Sequence, residues 1–209
     1  MDRINELQRL RGHLPPAAVP LVEDWLRRHP VHVRIARTRA TKLGDYRPGH
    51  GDRPHRISVN RELNRYAFLV TLVHEMAHHH TFLRHPRHQP HGPEWKAAYR
   101  EAMRPYLSPL VFPGDVLQAL QHHLERAPGS SCTDHGLMRV LRRYDAEPKP
   151  FLEDLRESTI FLFNRKLFVK GPGLRTRYRC QCLNDRRTYL IDRMAEVHVE
   201  HPFPTRRAS

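Results

Sequence analysis

The chain has 209 residues, 39% of them hydrophobic and 28% charged, the balance of a globular protein with a core rather than of a disordered chain. Its 36 Lys and Arg outnumber 22 Asp and Glu for a net charge of +14, and 17 residues are histidine. The first feature suits a polyanionic partner such as nucleic acid; the second is an abundance of the commonest metal-ligating side chain. Three cysteines are too few for a disulfide scaffold and point to a reducing compartment. The charged N-terminal stretch lacks the apolar core of a secretory signal, and the longest apolar-rich run, residues 67–73, is far shorter than the roughly 20 residues that cross a bilayer. Secretory, membrane-spanning and disulfide-rich classes are excluded, so the expected location is cytoplasmic, with no membrane partner.

Residues 1–14 are polar and basic, a loose helix or arm. Over residues 15–29, Ala18, Val19, Val22, Trp25 and Leu26 recur at helical spacing, with Pro20 shifting the helix start or kinking it. Val31, Val33 and Ile35 then alternate with His32 and Arg34, which reads as a strand. Residues 41–54 carry Gly44, Pro48, Gly49, Gly51 and Pro54 and read as a long loop. Residues 55–60 form a second strand, pairing with the first as a hairpin-like antiparallel sheet whose exposed edge is open to an extended peptide. Asn64 caps a strongly apolar, buried helix reaching about Thr81. Pro93 opens another helix through Trp95, Ala98, Tyr99 and Met103, and further helices are expected at 113–126 and 134–144. Pro148-Lys149-Pro150 marks a boundary, after which five short strands follow at 159–163, 167–170, 175–182, 187–191 and 195–200.

The chemistry is concentrated in the buried helix, in His74-Glu75-Met76-Ala77-His78. Two histidines four residues apart lie about 6 Å apart along a helix axis on nearly the same face, so both imidazoles reach one ion. Glu75 projects a quarter-turn away, close enough to take a proton from an attacking water. A hydrolytic zinc site wants a third protein ligand and an open fourth position. The metzincin continuation fails, because Thr81 and Arg84 stand where Gly and His are required. His79 and His80 point to other faces, and His85 and His88 fall in a solvated loop. Glu94 and Glu101 are carboxylate candidates. His91 is preferred: it directly precedes Gly92-Pro93-Glu94-Trp95, and packing the next helix beside the first returns it to the site, with Gly92 allowing close approach.

His74–His78 followed by His91-Gly92-Pro93-Glu94-Trp95 resembles the SprT-like (Spartan-related) zinc metallopeptidases, which pair a helix bearing H-E-x-x-H with a downstream H-G-x-x-[FW] segment. Lys42-Leu43-Gly44 and Ile57-Ser58-Val59-Asn60 also look like the family's N-terminal half. The resemblance covers roughly residues 20–110. It implies a mostly helical zincin-like minidomain with one catalytic zinc on His74, His78 and His91 and Glu75 as general base; with the small N-terminal antiparallel sheet read above, the expected fold class is α+β. A small C-terminal β-subdomain follows. The expected layout is a metallopeptidase domain at 1–150, a β-rich subdomain at 151–200 and a disordered tail at 201–209.

The β-rich subdomain stands where the family often has a zinc ribbon, but this chain offers only Cys180-x-Cys182 there, with Cys132 far away. A site from Cys180, Cys182, His198 and His201 is one reading; a metal-free β-subdomain is the preferred one. Arg175, Arg177 and Arg179 alternate along an expected strand and share a face, which makes them the candidate nucleic-acid contacts, set against a merely solvated basic face. Ser131 or Asp134 caps the following helix rather than serving as a nucleophile. The expected function is zinc-dependent hydrolysis of a protein or peptide substrate, with DNA-associated proteins as candidate targets. The Ile57–Asn60 strand is the expected edge for the substrate backbone, with Tyr46, Tyr99 and the basic loop as candidate oxyanion donors. The competing function is a non-enzymatic nucleic-acid-binding protein with a structural zinc.

Overall fold

The computed structural model describes residues 3–37, 42–126 and 134–199. The chain is α+β and divides into two compact units, Met1–Ala146 and Glu147–Ser209. Cys132, His201 and the expected tail at 201–209 lie outside the described residues.

The first unit holds six helices among the described residues: α1 (Arg3–Arg11), α2 (Val19–Arg28), α3 (Arg65–Arg84), α4 (Pro93–Met103), α5 (Gly114–Arg126) and α6 (His135–Arg142). A short 3₁₀ turn at Pro16–Ala18 precedes α2, so Pro20 sits in the first turn of the α-helix, where its missing N–H costs nothing. Three strands form one sheet: β1 (Val31–Ala36), β2 (Gly44–Arg47) and β3 (His55–Asn60).

The sheet order is β1-β3-β2, with β1 parallel and β2 antiparallel to β3. This corrects the expected antiparallel hairpin of the 31–35 and 55–60 strands. The antiparallel partner of β3 is β2, which lies inside the expected loop. Gly44-Asp45-Tyr46-Arg47 has too little β-propensity and length to announce a strand; it forms one because β3 offers it a complete ladder. A second correction follows. β3 is the central strand, so the open edges belong to β1 and β2, and the Ile57–Asn60 segment is not an edge.

Strand alternation buries Val31 and Val33 of β1 and Ile57 and Val59 of β3 on one face, against which α3 packs. The N-terminus of α3 is capped by Asn64, whose side chain accepts from the N–H groups of Tyr66 and Ala67 at 3.0 Å. The Asn64 amide in turn donates to Leu141 O at 2.9 Å and Asp145 Oδ1 at 2.6 Å. Unlike a surface helix, α3 is buried almost all round from Ala67 to Ala77, between the sheet on one side and α4 on the other. Helix α4 presents Trp95, Tyr99 and Met103, spaced i, i+4, i+8, to that core.

The second unit is built on an antiparallel sheet in the order β4 (Ile160–Phe163), β5 (Lys166–Gly173), β6 (Arg177–Cys182) and β7 (Thr188–Asp192). The expected fifth strand is reduced to isolated bridges, Phe151 with Glu196 and Leu162 with His198. The inner face carries Phe161, Phe168, Cys180, Cys182 and Ile191, closed by Leu152 and Val197.

Candidate metal centre

His74 and His78 leave α3 on one face. The third imidazole comes from a β-turn over Gln89-Pro90-His91-Gly92, closed by Gly92 N–H donating to Gln89 O at 2.9 Å. Pro90 fills the second position and His91 the third at φ 57°, the left-handed conformation that a type II turn needs there. A non-glycine residue rarely adopts it; such outliers persist where the surroundings over-determine them and cluster at functional sites. Gly92, the last turn residue, leaves only tight space for a side chain: an added Cβ would lie 3.0 and 3.2 Å from Gln89 O and Cβ and 3.2 Å from Glu94 Oε2. The close approach it permits is therefore to the turn and to the first turn of α4.

The three Nε2 atoms face one another at 3.2 Å (His74–His78), 3.1 Å (His78–His91) and 3.2 Å (His74–His91). Among the described residues, His74, His78 and His91 form the one group of three or more ligand-type side chains that could hold a metal ion. Neutral imidazole nitrogens are either donors or acceptors, and three mutually facing atoms of two kinds cannot satisfy all three contacts. A Lewis acid that accepts all three lone pairs removes the conflict. Tetrahedral coordination at about 2.0–2.1 Å separates such donors by about 3.3–3.4 Å, so the observed triangle needs only a slight expansion.

Trp95 is the back wall of the triad. Its ring centroid is 4.6 Å from those of His74 and His91 and 5.3 Å from that of His78. Tyr99 stacks behind it at 5.0 Å, and the buried His123, held by Asp134 at 2.9 Å, meets Tyr99 edge-on. Trp95→Ala should cost about 3–5 kcal/mol of stability, because an aromatic at 1% exposure leaves a cavity on truncation. Trp95→Phe keeps a ring and removes an indole N–H that has no hydrogen-bond partner among the described residues, so urea denaturation should show a far smaller loss.

Burial pushes the imidazoles toward their neutral, metal-competent form. His74 is lowered well below its ordinary value by desolvation and then by His78, His91 and His123. His78 is lowered to about 4 by desolvation, His91 and His88, and His91 is lowered by desolvation. On the far side of α3, burial lowers His79 to about 3 and His80 to about 4. Each folded-state value lies below the unfolded value of 6.5, so the folded chain binds fewer protons than the unfolded one. The metal-free protein should therefore be most stable above about pH 6.5 and lose stability as the pH falls toward 4. Thermal melts in chelator across that window check it; a flat Tm would contradict these assignments.

The other candidate ligands are engaged elsewhere. His79 and His80 pack among Trp25, His29, Tyr46 and His55, with Trp25 Nε1 donating to His80 Nε2 at 2.9 Å. His88 bonds the carbonyl of His85 at 2.7 Å, and Glu101 pairs with Arg84 at 2.8 Å. Glu94 lies outside the cluster. Tyr46, one candidate oxyanion donor, has its hydroxyl 2.8 Å from His55 Nδ1. The other, Tyr99, is buried behind Trp95.

In the second unit, Cys180 and Cys182 are free thiols at 0% exposure within the apolar cluster, and burial raises the Cys180 thiol. His198 is exposed. Of the three arginines, Arg177 and Arg179 share a face of β6; Arg175 precedes the strand, a correction to the expected alternating triplet, although all three are exposed. A second concentration of positive charge has no local signature in the sequence. Arg34, Arg47 and Arg56, from three strands whose register the sequence does not reveal, and Arg37, just past β1, line a cavity of about 340 Å³ together with Asp45, the ion-pair partner of Arg47.

The SprT-like family model matches residues 21–113, the stretch from α2 to the start of α5 that contains the H-E-x-x-H helix, the His91 turn and Trp95. No curated protein and no solved structure matches the chain. Among the described residues, no helix is long and apolar enough to cross a membrane.

Proposed function

We infer that the protein is a zinc metallopeptidase of the SprT-like kind, with a zincin-like first unit. The observation that carries this reading is the convergence of three Nε2 atoms within 3.2 Å around a helix that also bears a buried carboxylate, Glu75, at 5% exposure. Three histidines, with no fourth ligand-type side chain grouped with them among the described residues, are the donor set of a catalytic rather than a structural zinc. Bound there, zinc supplies Lewis acidity toward a scissile carbonyl and acidifies water. Glu75 accepts the proton of the attacking water on its carboxylate and returns it to the leaving amine. An extended substrate backbone pairs with the free edge of β2, the strand that lies against α3. The second unit carries no metal in this reading, its cysteines serving the apolar core.

The test is cleavage of an unfolded protein by the purified chain. Activity should disappear with a zinc chelator and return with stoichiometric zinc; chelator-resistant cleavage, or none in the zinc-loaded protein, would overturn the reading.

A nucleic-acid-binding role is favoured by a specific observation, the exposed Arg177 and Arg179 side by side on β6. If these arginines hold DNA, Arg177→Gln/Arg179→Gln should weaken oligonucleotide binding and flatten its salt dependence by about two phosphates, with zinc content unchanged. Equal anisotropy titrations for both proteins would leave the arginines a solvated face.

A further inference from the structure

Helix α3 carries Glu75 directly beneath β2 at Gly44. A Cβ added to Gly44 would fall 2.5 Å from Glu75 Oε1, 2.9 Å from Glu75 Cγ and 2.7 Å from Thr71 Cγ2, all closer than the 3.0 Å that real Cβ atoms keep. The glycine is not there for its backbone, since Gly51 is the described glycine with positive φ. It is there for space.

Neither the strand nor Thr71 can easily yield that space. Gly44 pairs with Val59 and Tyr46 with Ile57 across the ladder. The approach to β2 is tied down by Asn60, whose N–H donates to Leu43 O and whose side-chain amide donates to Lys42 O, both at 2.9 Å. Asp45 is ion-paired at 2.9 Å with both Lys42 and Arg47. On the helix side, Thr71 is β-branched and buried, with two helical rotamers to choose between against the three rotatable bonds of Glu75. Both the Thr71 methyl and the Glu75 side chain must give, and the carboxylate, the far end of the longer and more flexible chain, moves most.

We propose that Gly44 is a positioning residue for Glu75: its missing side chain is the seat in which the carboxylate is held, and it fixes the base relative to the free edge of β2. The inference rests on Glu75 acting as general base. One strand then serves both substrate alignment and base placement, and a side chain at position 44 would displace the base without touching the three histidines.

Two measurements on the full chain test this. Gly44→Ala should keep its zinc and a KM near wild type, while kcat falls on the order of 100-fold, the cost of a misplacement of about 1 Å. Independently of activity, Gly44→Ala should lower Tm in the wild-type background and much less in a Glu75→Ala background, which lacks Cγ and Oε1. If Gly44→Ala does not fold, the same cycle in a Thr71→Ser background removes the methyl conflict and isolates the contact with Glu75. An equal Tm loss with and without the Glu75 side chain would overturn the seat, as would a Gly44→Ala enzyme with wild-type kcat. Absence of cleavage by the wild type would count against the peptidase reading instead, and the melting cycle would still decide whether Gly44 seats Glu75.

Discussion

His91→Ala should lose zinc almost completely while remaining folded. Outer-shell partners of a metal ligand are worth roughly 10- to 100-fold in affinity, and His91 is proposed as a ligand itself, so its removal should exceed that range. Two histidines of α3 would then remain, a set that holds zinc poorly. The fold should survive, because His91 is half-buried and lies in a turn between helices rather than in the apolar core. Alanine at φ 57° is no better placed than histidine, so His91→Gly separates the two effects by removing the imidazole and the backbone strain together. Both variants should show the same loss of zinc in metal analysis after gel filtration. Stoichiometric zinc in either would transfer the third-ligand role to another side chain.

Much of this centre was legible in the sequence because its parts are local. The i, i+4 spacing of His74 and His78 is a property of any helix, and the apolar run from Ala67 to Ala77 identifies that helix as buried. Pro90-His91-Gly92-Pro93 announces a turn followed by a helix start, which limits where His91 can go. What was illegible depends on pairing between distant segments. The β2 strand has four residues with weak propensity and exists only because β3 is beside it. The parallel register of β1 on β3 requires the chain to cross to the far edge and return, whereas consecutive strands more often pair directly. The same non-local register gathers Arg34, Arg47 and Arg56 around one cavity and places Gly44 over Glu75. Alternation alone places Arg175 in a strand, but β6 begins at Arg177, opposite Asp192.

In the proposed mechanism Glu75 moves the proton while the histidines hold the metal, and Glu75→Gln separates those tasks. Glutamine is nearly isosteric, so the seat against Gly44 stays filled and the three imidazoles stay in place. It cannot accept the proton of the attacking water. Zinc content and Tm should match the wild type, while kcat for an unfolded protein substrate falls on the order of 10²- to 10⁴-fold, the range of a lost general base. The decisive measurement is metal content and kcat on the same preparation of Glu75→Gln. One zinc per chain with cleavage abolished is the expected result; one zinc per chain with cleavage at the wild-type rate would contradict the account.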